Sequence, residues 1–386
     1  MPRFPIGADV SLYQLDRDPH PVLAALRQSE PVSWIPALDC WLVTSHALAL
    51  QVIRDAASYT VDDPRFSTGQ VVGPSMLSLD GDAHARHRAP FAPPLRPLAV
   101  RDRFAEAVAN EAQRLVDELA PGGKAELRRR LAGPLAAYAM TRALGLGPAE
   151  VAAVLAWYDA IVSAVTEITA GSDVPPSGRE AFAALRERLL EVIRSEDSGS
   201  LLAAAASETE LSDDEIVSNA AVLLFGGIET TEGMIANAIV ALLEHPAELQ
   251  RVRADPSLLD AAIEESLRLE PAAAVVDRYA TGDVELDGIT IGGGDLVRVS
   301  IAAANRDPAL FADPNRFDLD RPNAGRHLAF AHGPHVCVGV HLARLEARTA
   351  LTILLESLPG LRLDPERPTE VRGLVFRKPP ALHVVW

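Results

Sequence analysis

The feature that most constrains the fold is the stretch from Ser212 to Pro246. Ser212-Asp213-Asp214-Glu215 is a capping box, in which the Ser hydroxyl caps a backbone N–H and the Glu side chain reaches back. No proline interrupts the chain from there to His245-Pro246, so the box opens a helix of roughly 30 residues, about 45–50 Å long. A helix that long and that apolar has to cross a core with other helices packed around it. Apolar residues three and four apart over 102–119, 124–144, 149–168 and 179–195 supply such neighbours. Pro121-Gly122-Gly123 and Gly171-Ser172-Asp173-Val174-Pro175-Pro176 separate them as turns.

Strand signals are fewer and short. A helix over His20–Gln28 precedes strands near Val32–Ile35 and Trp41–Thr44, hinged at Ala37-Leu38-Asp39. Another helix leads up to Pro271. Strands are then expected at Val284–Leu286, Ile289–Ile291 and Leu296–Ile301, with Asp287-Gly288 as a hairpin turn. A long helix runs from Cys337 to about Ser357, and a β-rich tail closes the chain. The expectation is a mainly α fold with minor β, one domain over 1–386, its β-rich portions near 31–45, 281–301 and 360–386.

Composition narrows the function classes. Of 386 residues, 48% are hydrophobic and 23% charged, the balance of a globular chain with a sizeable core. The formal net charge of −17 repels phosphate backbones, and no basic block offsets it, so no nucleic-acid partner is expected. Two cysteines, Cys40 and Cys337, cannot build a disulfide framework, which fits a reducing, cytoplasmic setting. No signal peptide is readable at the N-terminus, and no charge-free run of ~18 apolar residues occurs, so no membrane anchor is expected.

The most informative segment is Phe330-Ala331-His332-Gly333-Pro334-His335-Val336-Cys337-Val338-Gly339. Glycines flank the cysteine, letting the loop turn tightly and approach a flat group closely. A helix starts just beyond, and its N–H groups and dipole favour a thiolate. Taken alone, a buried structural cysteine is the more natural reading. A zinc site fits less well, because His332, His335 and Cys337 crowd one loop with no CxxC partner.

The segment resembles the haem-binding signature of the cytochrome P450 family, matched at every fixed position, with Ala331 standing where Gly is commoner. The resemblance implies the cytochrome P450 fold, with haem (heme b, iron protoporphyrin IX) between the long central helix and the helix after the cysteine loop. It implies Cys337 as the metal ligand, with Phe330 packed near the sulfur and Gly333 and Gly339 shaping the loop. His84 and Arg88, within His84-Ala85-Arg86-His87-Arg88, share one helix face and resemble the family's grip on the haem propionates. Arg278 and His335 are implied as further propionate partners. Glu265-Ser266-Leu267-Arg268 resembles the family's Glu-x-x-Arg pair, with Arg316 as the later member of a structural network beneath the loop.

Within the central helix, Phe225-Gly226-Gly227-Ile228-Glu229-Thr230-Thr231 places two glycines where each costs ~1 kcal/mol relative to Ala. Close helix packing is one reason for them; a local opening for a ligand is the other. The family has its dioxygen groove here, an acid followed by Thr. Glu229 and Thr230 are therefore implied as catalytic: Glu229 relays solvent protons, and Thr230 donates a hydrogen bond on the oxygen-binding side.

The resemblance implies a monooxygenase that takes dioxygen and a hydrophobic substrate, such as a terpenoid, steroid or polyketide-like natural product. Pocket walls are implied at Val71, Val72, Met76, Leu77, Ala221, Phe225, Gly226, Ala274, Val275, Val276, Val375 and Phe376. The short, Gly-containing loop from Phe66 to Leu79 would leave the distal face open or mobile. Electrons would come from an external ferredoxin and its NAD(P)H-dependent reductase, docking on a basic patch drawn from Arg344, Arg348, Arg96, Arg101 and Arg103. Two alternatives stay open: a haem-thiolate enzyme for oxidative coupling, desaturation or peroxide-driven oxidation, and a non-catalytic haem sensor.

Overall fold

The structure, a computed structural model, describes residues 3–169, 175–195, 200–208 and 210–386. The turn expected at 171–174 lies outside them.

The central helix spans Asp213–Glu244 and starts at the expected capping box. Glu215 N donates to Ser212 Oγ at 3.3 Å, and Ser212 N donates to Glu215 Oε2 at 2.8 Å. Most of its length is buried, because helices Gly133–Ala143, Pro176–Arg194, Leu259–Leu269 and Val340–Ser357 pack around it. Its tandem glycines divide the two roles between them. A Cβ at Gly227 would overlap Met140 Sδ of the neighbouring helix, whereas a Cβ at Gly226 would meet nothing within 4 Å. Gly227 allows close packing, and Gly226 leaves space open.

Helices at Pro97–Leu119, Val151–Thr169 and Pro176–Arg194 agree with the periodicity, but the helix expected over 124–144 is divided. Lys124–Glu126 is strand β4, Arg128–Ala132 is a π-helical turn, and only Gly133–Ala143 is α-helical. The cause is tertiary: β4 pairs antiparallel with His383–Val385 at the far end of the chain.

In chain order the other strands are β1 Val32–Ile35, β2 Cys40–Val43, β3 Tyr59–Thr60, β5 Val275–Ala280, β6 Val284–Leu286, β7 Ile289–Ile291, β8 Leu296–Ser300, β9 Arg362–Leu363 and β10 His383–Val385. They form a five-stranded sheet ordered β1-β2-β8-β5-β3, a three-stranded sheet β4-β10-β9, and the hairpin β6-β7. In the first, β2 and β8 are parallel and the other pairs antiparallel. Asp287 and Gly288 both have positive φ, 53° and 71°, as a two-residue hairpin turn of this hand requires. Strand β5 was not expected from the sequence; it carries Arg278 and pairs with β8, where Arg298 binds Asp277 through two bonds of 2.7 and 2.8 Å.

Among the described residues, one stretch, Pro148–Val165, is long and apolar enough by composition to cross a membrane. It carries Glu150 and Asp159, and it buries Val154, Tyr158 and Ile161 against the helical core. The loop from Phe66 to Leu79 is not open coil. It holds the helix Ser67–Val72 and is tied to the central helix where Met76 N donates to Asn219 Oδ1 at 2.7 Å.

Candidate functional site

A cavity of about 350 Å³ lies between the central helix and the cysteine loop with the helix that follows it. That is the size range of small-molecule sites.

Its floor is the cysteine loop. Cys337 N donates to Phe330 O at 2.9 Å, closing the loop, and Val336 N to Gly333 O at 3.2 Å closes a turn within it. Gly333 has φ +71°, and a Cβ there would sit 2.9 Å from the Ile53 carbonyl oxygen, so only glycine fits. Ala331 also adopts positive φ, +55°, a conformation that costs a Cβ-bearing residue about 1–2 kcal/mol. Cys337 is partly exposed toward the cavity. Burial pushes its thiol up, while the Gly339 N–H and the charges of Arg88 and Arg344 favour the thiolate. Phe330 is fixed from below by Arg344, whose guanidinium lies 4.7 Å from the ring centroid.

Basic side chains gather at one side. Arg88 Nη2 donates to the Val336 carbonyl at 2.6 Å, which ties its helix, Gly81–Arg88, to the cysteine loop. Arg278 is buried on β5; Nη1 donates to the Asp277 carbonyl, and Nη2 finds no partner among the described residues. His84 is buried with Nε2 likewise without a partner, its ring 4.4 Å from that of His335. Burial, with His335 and Arg88 adding to it, brings the His84 imidazole down to about 4. His335 lies 2.7 Å from Asp80 Oδ1. Burial alone would raise the Asp80 carboxyl, but His335, Thr60 Oγ1 and Val61 N–H donate to it and hold it below the usual range.

Over the floor stands the opened part of the central helix. Thr230 lines the cavity, and its Oγ1 donates to the Gly226 carbonyl at 2.7 Å. Glu229 does not line it. This side chain is buried on the adjoining face, where Tyr158 Oη donates to it and Lys378 Nζ lies 2.8 Å from Oε1. Glu346 was not picked out by the sequence. It reaches the cavity from the helix after Cys337, and burial holds its carboxyl well above the usual range.

The walls are mostly as expected and apolar. Met76, Leu77, Phe225, Gly226, Val275, Val276, Val375 and Phe376 line the cavity. Four expected wall residues do not. Val71 and Val72 are buried in the helical core, Ala221 faces away from the stripe 222, 223, 226, 230 and 234, and Ala274 turns to the other side of its segment. In their place Phe66, Leu95, Met140, Leu201 and Met234 close the space. Helical and strand phase decide these differences, and phase is hard to fix from sequence where both faces are apolar.

Beneath the loop, Glu265 and Arg268 are fully buried and joined by two bonds of 2.7 Å. The third side chain is Arg321 and not Arg316. Arg321 Nε donates to Glu265 Oε1 at 2.8 Å, whereas Arg316 is exposed and contributes only its carbonyl to both arginines. Of the expected docking arginines, Arg344 is in an ion pair with Glu264 at 2.6 Å, Arg348 with Asp260, and Arg101 with Asp102 at 2.9 Å.

The residues present suit a flat, dianionic, metal-bearing ring. One thiol faces an apolar cavity, and Arg278 Nη2 and His84 Nε2 are buried with donor or acceptor capacity unused, where buried polar groups otherwise find partners. Arginine suits carboxylates, and a thiolate suits iron.

Known proteins agree. The family profile for cytochrome P450 matches residues 198–384. The chain is 37% identical over 380 residues to cytochrome P450 monooxygenase PikC of Streptomyces venezuelae, covering 90% of this chain and 85% of that one. It is 36% identical over 389 residues to the mycinamicin IV hydroxylase/epoxidase of Micromonospora griseorubida, covering 94% of each. The crystal structure of CalO2 superposes with a TM-score of 0.89 at 30% identity, over 97% of this chain and 98% of that one. With this fold, this cysteine loop and these relatives, the chain belongs to the cytochrome P450 family of haem-containing monooxygenases.

Proposed function

We propose that this protein oxidises a hydrophobic natural product of terpenoid, steroid or polyketide-like character, with Cys337 as the residue whose thiolate would hold the haem iron. The observation that carries the reading is the convergence of one thiol, the arginines Arg88 and Arg278 and Thr230 on a single apolar cavity. A polyketide-like substrate draws support from the relative that hydroxylates or epoxidises mycinamicin IV.

When bound, the haem supplies the redox chemistry that cleaves dioxygen and oxidises the substrate. The protein's part is positioning and proton supply. Arg88, Arg278, His84 and His335 would hold the haem propionates. Thr230, anchored on the Gly226 carbonyl, presents its hydroxyl at the opened turn of the helix. Glu229 is the neighbouring acid, and to act on the cavity its carboxyl turns from Tyr158 and Lys378. The mostly apolar walls exclude water and favour a hydrophobic guest.

Electrons come from an external ferredoxin served by an NAD(P)H-dependent reductase, in the cytoplasm. The reduced holoprotein should give the red-shifted carbon monoxide Soret band of thiolate ligation, and Cys337→Ser should lose it. A properly folded wild type without that band would remove Cys337 as ligand. Turnover of a compound library under labelled dioxygen then separates oxygen insertion, which leaves label in the product, from coupling or desaturation, which does not.

A further inference from the structure

Glu229 is held in a polar row that crosses the helical core. Lys378 Nζ lies 2.8 Å from Glu229 Oε1, pairs with Glu232 one turn further along the same helix, and lies 3.3 Å from Tyr158 Oη. Glu232 Oε1 is 3.1 Å from Arg128 Nε, whose side chain reaches the rim of the core. Arg129 and Asp159 sit beside it at the surface, 3.2 Å apart. Two carboxylates and two cations leave the row neutral.

The surrounding backbone makes room for this row. Gly133 has no Cβ where one would lie 2.9 Å from Glu232 Oε1. Arg128 opens the π-helical turn Arg128–Ala132, a local widening that recurs at functional sites. Arg128 Nη1 donates to the Pro380 carbonyl and Leu127 N to the Leu382 carbonyl, so the turn and the segment bearing Lys378 are stitched together. Two residues before Lys378, Phe376 lines the cavity and stacks edge-on with Phe225 at 5.7 Å.

We propose that Lys378 is a positioning residue for Glu229: its ammonium, shared with Glu232, sets where the Glu229 carboxylate rests beside Thr230. The proposal rests on the reading of Glu229 as the acid beside Thr230. The ammonium lies between the two carboxylates and holds that of Glu229 on the buried side of the helix, away from the cavity. Tyr158, its phenol held protonated by burial and by the charges of Glu229 and Glu232, donates to the same carboxylate and limits its swing. Without the lysine the row carries one excess negative charge, and one carboxyl takes up a proton and holds it. An acid so weakened gives up its proton slowly at neutral pH.

The test uses holoprotein of the full chain with a plant-type ferredoxin, its NADPH-dependent reductase and no added substrate. Under these conditions the electrons consumed appear either in hydrogen peroxide or in water. In Lys378→Met the peroxide share should rise at least about threefold and the deuterium-solvent isotope effect on oxygen consumption should grow. Lys378→Arg should restore both. The double variant with Glu229→Gln should be no worse than Glu229→Gln alone, as for residues that act as one unit.

A second readout does not depend on turnover. The infrared spectrum of resting Lys378→Met should gain a protonated-carboxyl band that shifts in heavy water. The charge-balanced variant Lys378→Met/Glu232→Gln should lack that band, and it also serves if the single variant folds poorly. A folded Lys378→Met with wild-type peroxide share and no new band overturns the proposal, as does additivity with Glu229→Gln. If Glu229→Gln itself leaves the partition unchanged, the reading of Glu229 fails first and the proposal falls with it.

Discussion

Two buried charge networks flank the cavity, and they are built on opposite plans. Beneath the cysteine loop, one carboxylate, Glu265, serves two arginines, and the remaining donors of Arg268 and Arg321 end on main-chain carbonyls at 305, 312, 313, 314 and 316. Few donors are left for a guest or a moving proton. Beside Thr230, two carboxylates share one lysine, one arginine and one phenol, and only Arg128 also reaches a main-chain carbonyl, that of Pro380. A network that ends on backbone fixes a loop, whereas one made mainly of side chains can exchange partners. The difference separates scaffold from machinery more clearly than burial does, since both are buried.

The sharpest way to break the comparison is Arg268→Ala. It leaves Glu265 with a single arginine partner in a fully buried site and strips the Asn305 and Pro314 carbonyls of their donor. It should cost about 3–5 kcal/mol, read as a shift in the denaturation midpoint, with loss of haem retention. A loss under 1 kcal/mol would mean the loop does not lean on this network.

Next in size is acid sensitivity at Glu270, which anchors the turn that carries Lys378. Burial works against its charge, but His20, Arg377 and Arg306 overcome this and bring the carboxyl down to about 2. A depressed carboxylate stabilises the fold above its unfolded value of about 4.3. That contribution is lost as pH falls toward 2. Glu270→Gln should therefore lower stability at pH 7 and flatten its fall between these values in a pH series of melting curves; an unchanged slope would refute the assignment.

Thr230→Ala tests the machinery side. Stability should change by only about 0.5–1.5 kcal/mol, while the share of electrons released as peroxide rises. The smallest effect is expected at Ala331. Replacement by Gly should raise stability by about 1 kcal/mol, because the positive φ of +55° no longer opposes a Cβ. Spectra of the haem should stay as they are.

What could be read from the sequence follows the range of the interactions. The cysteine loop was legible because its cysteine, its turn glycines and the helix that follows lie within about ten residues. The central helix was legible from its cap and its length. Arg321 was missed in favour of Arg316 because both lie in irregular chain, where no period says which side chain points inward. Strand β5 was missed because Asp277-Arg278 looks like loop until the cross-strand partner Arg298 is in place. Lys378, Tyr158 and Arg128 could not be read at all, since they meet on Glu229 and Glu232 only when distant segments fold together.

The division between the two central-helix glycines also bears on how this enzyme can be altered. Exchanging Gly for Ala is the usual way to strengthen a helix, by about 1 kcal/mol. At Gly227 Met140 forbids it, and at Gly233 the Ala272 side chain does. Gly226 alone of the three has room, and there the added methyl would enter the cavity. The helix therefore offers one position where heat tolerance and the breadth of accepted guests are set by the same atom, and a directed-evolution campaign for one will move the other.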